Sequence, residues 1–208
     1  APHLMAWLGG LLVAAPEYTH QAPRDVWEQA VGSDMERAME DSDGKRYCTT
    51  GVERMAVAVW SSSLLKLSHG LNAREWQLPG GEWGARWARA LEAAGGVCRE
   101  GLGRLADALR RVVARAPESK GELFHARWVA EEDLQPGAEW TIPGWLATTR
   151  DRAFAERHAL QRRAKDRLPG GVLAVLRIAP GLKAAPLTWV TTSLEQECLA
   201  LPGARVRT

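Results

Sequence analysis

The spacing of apolar residues changes near position 120, and that change limits the folds open to this chain more than any other feature. Before it, Leu102, Leu105, Ala106, Leu109, Val112 and Val113 recur at three- and four-residue steps, so they fall on one face of a helix that Pro117 closes. After it, short runs of aromatic, aliphatic and β-branched residues alternate with turn residues, which is the pattern of strands. A chain built this way is helical first and sheet-forming second.

The helical half contains two further segments. Val26, Trp27, Ala30 and Val31 open a helix after Pro23, and Asp41-Ser42-Asp43-Gly44 ends it; another helix fits Val52 to about Ser68, before a break at Gly80-Gly81. In the second half, strands are expected over 122–129, over 140–148 with a bend at Pro143-Gly144, and over 171–178. An Arg-rich helix is expected from Asp151 to about Lys165, and short strands around 186–191, 197–201 and 205–208. The expected fold class is α+β in a single domain of 208 residues, with 1–119 helical and 120–208 a β-rich core. Apolar residues at 46% are enough for a packed core, which excludes a disordered linker.

Charge and missing motifs narrow the function. With 27 Lys+Arg against 25 Asp+Glu the net charge is +2, too little for a dedicated nucleic-acid clamp. The arginines of the 151–165 helix read as a solvated face. There is no GxxxxGK[ST] loop, no GxGxxG and no GxSxG, so phosphate-loop, dinucleotide-fold and common hydrolase readings lose their usual support. The histidines lack metal-ligand spacing, and no metal is expected. Cysteines 48, 98 and 198 form neither a CxxC pair nor a disulfide frame, which fits a reducing compartment. The apolar run 4–15 is shorter than the roughly 18 to 20 residues a membrane span needs; a signal remnant, a core helix and a fragment end all suit it. Most of the ten tryptophans are expected in the core, with Trp76, Trp83 and Trp87 the alternative lining of a groove.

Three fragments carry chemistry together. In Phe124-His125-Ala126-Arg127-Trp128 a strand would present His125 and Arg127 on one face, and a guanidinium's planar fork suits a diphosphate. Gly144-Trp145-Leu146-Ala147-Thr148-Thr149 is a strand that ends in two hydroxyls where a helix begins; helix capping is the commoner use of such a pair. Glu195-Gln196-Glu197 runs into Cys198-Leu199-Ala200-Leu201-Pro202-Gly203. If all of it is strand, Glu195 and Glu197 share a face and each raises the other's pKa.

The order of these fragments resembles the catalytic core of mono-ADP-ribosyltransferases of the arginine–serine–glutamate, ExE type, the cholera-toxin-like branch, over roughly 120–208. The resemblance implies a split pair of β-sheets binding NAD as substrate in a cleft, with helices outside. Arg127 corresponds to the family's NAD-gripping arginine and Trp128 to the residue beside the nicotinamide. Thr148 and Thr149 correspond to the Ser-Thr-Ser hydroxyls that orient the ribose and the carboxylate, Glu197 to the catalytic glutamate, and Glu195 to the glutamate that serves acceptor arginines.

Two positions depart from the pattern: Ala147 stands at the first serine, and Trp128 replaces a small residue. The implied activity is transfer of ADP-ribose to protein arginine with release of nicotinamide. RNA, a non-arginine side chain, or a catalytically inactive binding module of the same fold are the alternatives. The implied setting is a secreted or injected bacterial toxin acting in a target-cell cytoplasm, with a cognate immunity or inhibitor protein as a further partner and nucleic acid less favoured.

Overall fold

The computed structural model describes residues 46–61, 95–142, 144–162, 171–188 and 196–207. The expected helix at 26–31, the apolar run 4–15, the tryptophans at 76, 83 and 87, and Glu195 lie outside the described residues. The chain divides into two compact units, Ala1–Ala114 with Trp189–Thr191, and Arg115–Thr188 with Thr192–Thr208.

The first unit contains helix α1 (Gly51–Ser61) and almost all of α2 (Gly95–Arg115). The apolar stripe of α2 is fully buried, with Leu102, Leu105, Ala106, Leu109, Val112 and Val113 all at 4% exposure or less, and Ala56 to Trp60 of α1 are buried as well. The start of α1 is a capping box. The Thr50 hydroxyl accepts from the Glu53 N–H at 3.2 Å, and the Glu53 carboxylate accepts from the Thr49 and Thr50 N–H groups at 2.9 and 3.3 Å.

The second unit holds seven strands among the described residues: β1 (Leu123–Ala130), β2 (Glu139–Ile142), β3 (Leu146–Thr149), β4 (Gly171–Ile178), β5 (Ala184–Pro186), β6 (Glu197–Ala200) and β7 (Ala204–Arg207). A 3-10 turn (Glu131–Leu134) follows β1, and helix α3 (Arg152–Arg162) follows β3. Strands β4-β1-β3-β6-β5 form one sheet and β2-β7 a second, all antiparallel. The fold is α+β with two sheets, as expected. Residues 140–148 are a correction: they form two strands in different sheets rather than one bent strand, and the proline that cannot donate to a ladder falls between them.

Alternation along the strands sorts side chains between two faces of the large sheet. Leu123 and Val129 of β1, Leu146 of β3, Leu176 of β4, and Cys198 and Ala200 of β6 share one face. They pack into a single core with Ile142 and Ala204 of the small sheet, and Trp140 and Val206 lie against it. Phe124, Ala126, Thr149, Glu197 and Leu199 occupy the opposite face. Helix α3 packs chiefly over β1, with Ala155 and Ala159 buried.

Candidate active site

The register of β3 with β6 is the first determinant of the site. Thr149 lies directly opposite Glu197, and Thr148 opposite Cys198. Residues opposite each other in an antiparallel pair share a face, so the Thr149 side chain stands beside that of Glu197. On β1 the same row continues to Phe124, which faces Thr149. Thr149 is buried, and its hydroxyl accepts from the Asp151 N–H at 3.0 Å. Asp151 in turn accepts from the Phe154 N–H at 3.0 Å, the N-cap of α3. The turn from β3 into the helix is thus pinned beside the Glu197 position.

The Thr148 hydroxyl, on the core face, donates to the Cys198 carbonyl at 2.8 Å. It ties β3 to β6 one residue from Glu197. Glu197 opens β6, is half-buried, and follows Gln196, whose φ of 44° is left-handed. The strand starts at Glu197, so the alternation expected through this motif does not extend to Gln196.

Arg127 emerges from β1 on the core face, in the row of Leu123, His125 and Val129. It is three residues along the strand from the Phe124 row, about 10 Å at strand rise. It therefore shares a face with Thr148, whereas Thr149 and Glu197 share the other. Half-buried, its guanidinium lies over the Trp140 ring at 5.5 Å from the centroid, and its Nε donates to the Trp128 carbonyl at 3.4 Å. Burial lowers the Arg127 pKa from its ordinary value, and the nearby Asp133 carboxylate opposes that shift. Trp128, half-buried, points to the opposite face, its indole nitrogen buried without a hydrogen-bond partner. His125 Nδ1 is 2.6 Å from the Ala147 carbonyl, a second link from β1 to β3.

Two residues with evident bearing on the site, Trp140 and Asp133, escaped the sequence reading. Trp140 and Asp133 meet Arg127 from the second sheet and the 3-10 turn, a convergence that no spacing encodes. Arg150 adjoins Cys198: burial pushes that thiol's pKa up, the Arg150 guanidinium beside it opposes the shift, and Glu197 adds to it. Among the described residues, no group of three or more His, Cys, Asp and Glu side chains is placed to hold a metal, and no helix is long and apolar enough to cross a membrane.

No family model matches the sequence, and no curated protein does. Solved structures do. The Vis toxin, an ADP-ribosyltransferase from Vibrio splendidus, aligns with a TM-score of 0.53 at 18% identity over 88% of this chain and 77% of that one. Vis in complex with agmatine aligns at 0.54 and 17% identity, over 86% and 77%. Exoenzyme S from Pseudomonas aeruginosa, in complex with human 14-3-3 protein beta and bound to carba-NAD, aligns at 0.50 and 12% identity, over 88% and 76%. The fold of this chain is that of the ADP-ribosyltransferases.

Proposed function

We propose that this chain is a mono-ADP-ribosyltransferase that cleaves NAD, releases nicotinamide and transfers ADP-ribose to an acceptor, foremost the arginine of a protein. The observation that carries this reading is the pairing of Glu197 with Thr149 across adjacent strands of an ADP-ribosyltransferase fold. Neighbours bound to carba-NAD and to agmatine, a compound with a guanidinium head, favour the same donor and acceptor chemistry.

Cleavage of the bond between nicotinamide and ribose leaves an oxocarbenium-like carbon while nicotinamide departs as a neutral ring. The Glu197 carboxylate would stabilise that developing positive charge, as carboxylates do in glycosidases. An acceptor guanidinium becomes nucleophilic only on losing a proton, which Glu195 would assist as the new carbon–nitrogen bond forms. Thr149, beside Glu197, would hold the carboxylate toward the ribose, and Thr148 would keep β3 and β6 in register beneath it. Arg127 would match the diphosphate charge, with Trp128 flanking the nicotinamide end. Because Arg127 and Glu197 emerge on opposite faces, a dinucleotide meeting both must bend around the sheet end at which β6 begins. The toxin and exoenzyme neighbours favour a secreted or injected bacterial effector; action in a target-cell cytoplasm and a cognate inhibitor protein as partner complete the proposal.

Nicotinamide release from NAD by the purified chain tests the reading. Glu197→Gln should lower it by at least about 10²-fold, the scale of removing one transition-state charge contact. Glu195→Gln should spare hydrolysis better than transfer to protein. Release no faster from the wild type than from Glu197→Gln would leave a non-catalytic binding module of the same fold.

A further inference from the structure

The geometry points to Trp140 as a positioning residue for Arg127: from the second sheet, its indole face holds the guanidinium in the orientation in which it meets the NAD diphosphate. This inference rests on the transferase reading and adds a residue outside the three motif fragments.

Arg127 occupies a row of β1 with Leu123, His125 and Val129, of which Leu123 and Val129 are core residues, so its charge is partly drawn out of water. What compensates comes largely from elsewhere in the unit. The guanidinium carbon is 5.5 Å from the centroid of the Trp140 ring, inside the roughly 6 Å within which a cation is attracted to an aromatic face. Trp140 belongs to β2, and its partner across the ladder is Val206 of β7. The ring is therefore fixed by a different sheet from the one that carries Arg127. Asp133, on the 3-10 turn between the two strands, supplies opposing charge.

The manner of holding matters for anion binding. Arg104, Arg110 and Arg152 are gripped edge-on by carboxylates of their own helices at 2.6 to 2.9 Å. The Trp140 ring face offers no carboxylate oxygen, so it holds the guanidinium without taking up the N–H donors that bind a phosphate in paired fashion, one of which, Nε, donates to the Trp128 carbonyl. Trp140 also has a cost. Its Nε1 is buried without a hydrogen-bond partner, a penalty that phenylalanine or leucine would avoid. Tryptophan has the strongest cation-binding face of the three aromatic residues, which offsets that penalty only if the cation's placement is useful.

The test measures NAD affinity of the full chain by calorimetry and thermal midpoint by unfolding, for Trp140→Phe, Trp140→Leu, Arg127→Met and the Trp140→Leu/Arg127→Met pair. Trp140→Phe keeps a ring face and should stay within about 3-fold of wild-type affinity. Trp140→Leu should weaken binding about 5- to 20-fold, the range a desolvated cation–ring contact spans. In the Arg127→Met background, Trp140→Leu should have no further effect, because its influence passes through Arg127. Equal affinities for the Phe and Leu variants, or a Leu effect that persists without Arg127, would overturn the inference while leaving the transferase reading in place. A wild-type chain that binds no NAD, or an Arg127→Met variant that binds it unchanged, removes the premise and overturns both the assignment of Arg127 and this inference.

Discussion

Gln196 is the one non-glycine residue with positive φ among the described residues, and it directly precedes Glu197. An L-residue held there costs on the order of 1 kcal/mol, and such strain persists where the surroundings over-determine it. Here those surroundings are the β3–β6 ladder, which begins at Glu197, and the Leu187 N–H, which donates to the Glu197 carbonyl at 2.8 Å. Gln196→Gly should therefore fold with stability within about 1 kcal/mol of wild type, since the relief of strain is set against the freedom glycine adds to the unfolded chain. Gln196→Val should lose about 1–2 kcal/mol, because a β-branched residue resists positive φ. Urea unfolding of the two variants decides it, and equal losses would show that φ at 196 relaxes freely. The same residue explains what was illegible in the motif. The types and order of Arg127, Thr148, Thr149 and Glu197 could be read from the sequence, but the strand was expected to run through Gln196, and a left-handed residue is invisible to a count of alternation.

At the scale of elements, periodicity performed best where burial was continuous. The apolar stripe of α2 was legible because it buries one uniform pattern over several turns, and the run at Gly171–Ile178 because its aliphatic residues suit a strand, although only Leu176 of the eight is buried and Val172 is exposed. The β2–β3 boundary was not, because alternation reports that a residue is buried and says nothing about which sheet buries it. The start of α1 shows how local chemistry can fix an end that periodicity leaves vague. Glu53 is fully buried and accepts from Thr49 N–H and Thr50 N–H, while its other oxygen meets Arg111 Nε at 3.1 Å. Glu53→Ala would strand those donors and should cost about 2–3 kcal/mol. Thr50→Ala removes only the reciprocal bond and should cost about 1 kcal/mol. Denaturant midpoints at constant m-value would measure both, and a Glu53 loss no larger than the Thr50 loss would mean that water replaces the carboxylate without penalty.

At the scale of the whole chain, one prediction follows from where the core sits. The interior of the two-sheet unit closes over Cys198, a thiol in no disulfide at 1% exposure, and Cys48 is likewise buried and in no disulfide. Burial raises the folded-state pKa of Cys198 above its ordinary 9.0, with Arg150 acting against the shift and Glu197 adding to it. The native state therefore holds the thiol proton to higher pH than the unfolded chain does. Well below pH 9 both states are protonated and the thiol contributes no slope. As pH rises from there through the folded pKa, only the unfolded state gains by losing the proton, so stability falls. Cys198→Ala removes that step. It should cost about 1 kcal/mol at neutral pH through the small cavity left beside Leu146 and Ala200, yet its stability should decline less steeply than that of wild type above pH 9. Unfolding midpoints from pH 7 to 10.5 for the two proteins give the comparison, and parallel curves would mean that the thiol titrates no differently in the fold than outside it. The measurement also bears on the site, because Cys198 adjoins Glu197 on β6 and its carbonyl receives the Thr148 hydroxyl. If ionising the thiol loosens the β3–β6 register, nicotinamide release by wild type should fall over the same alkaline range and release by Cys198→Ala should persist.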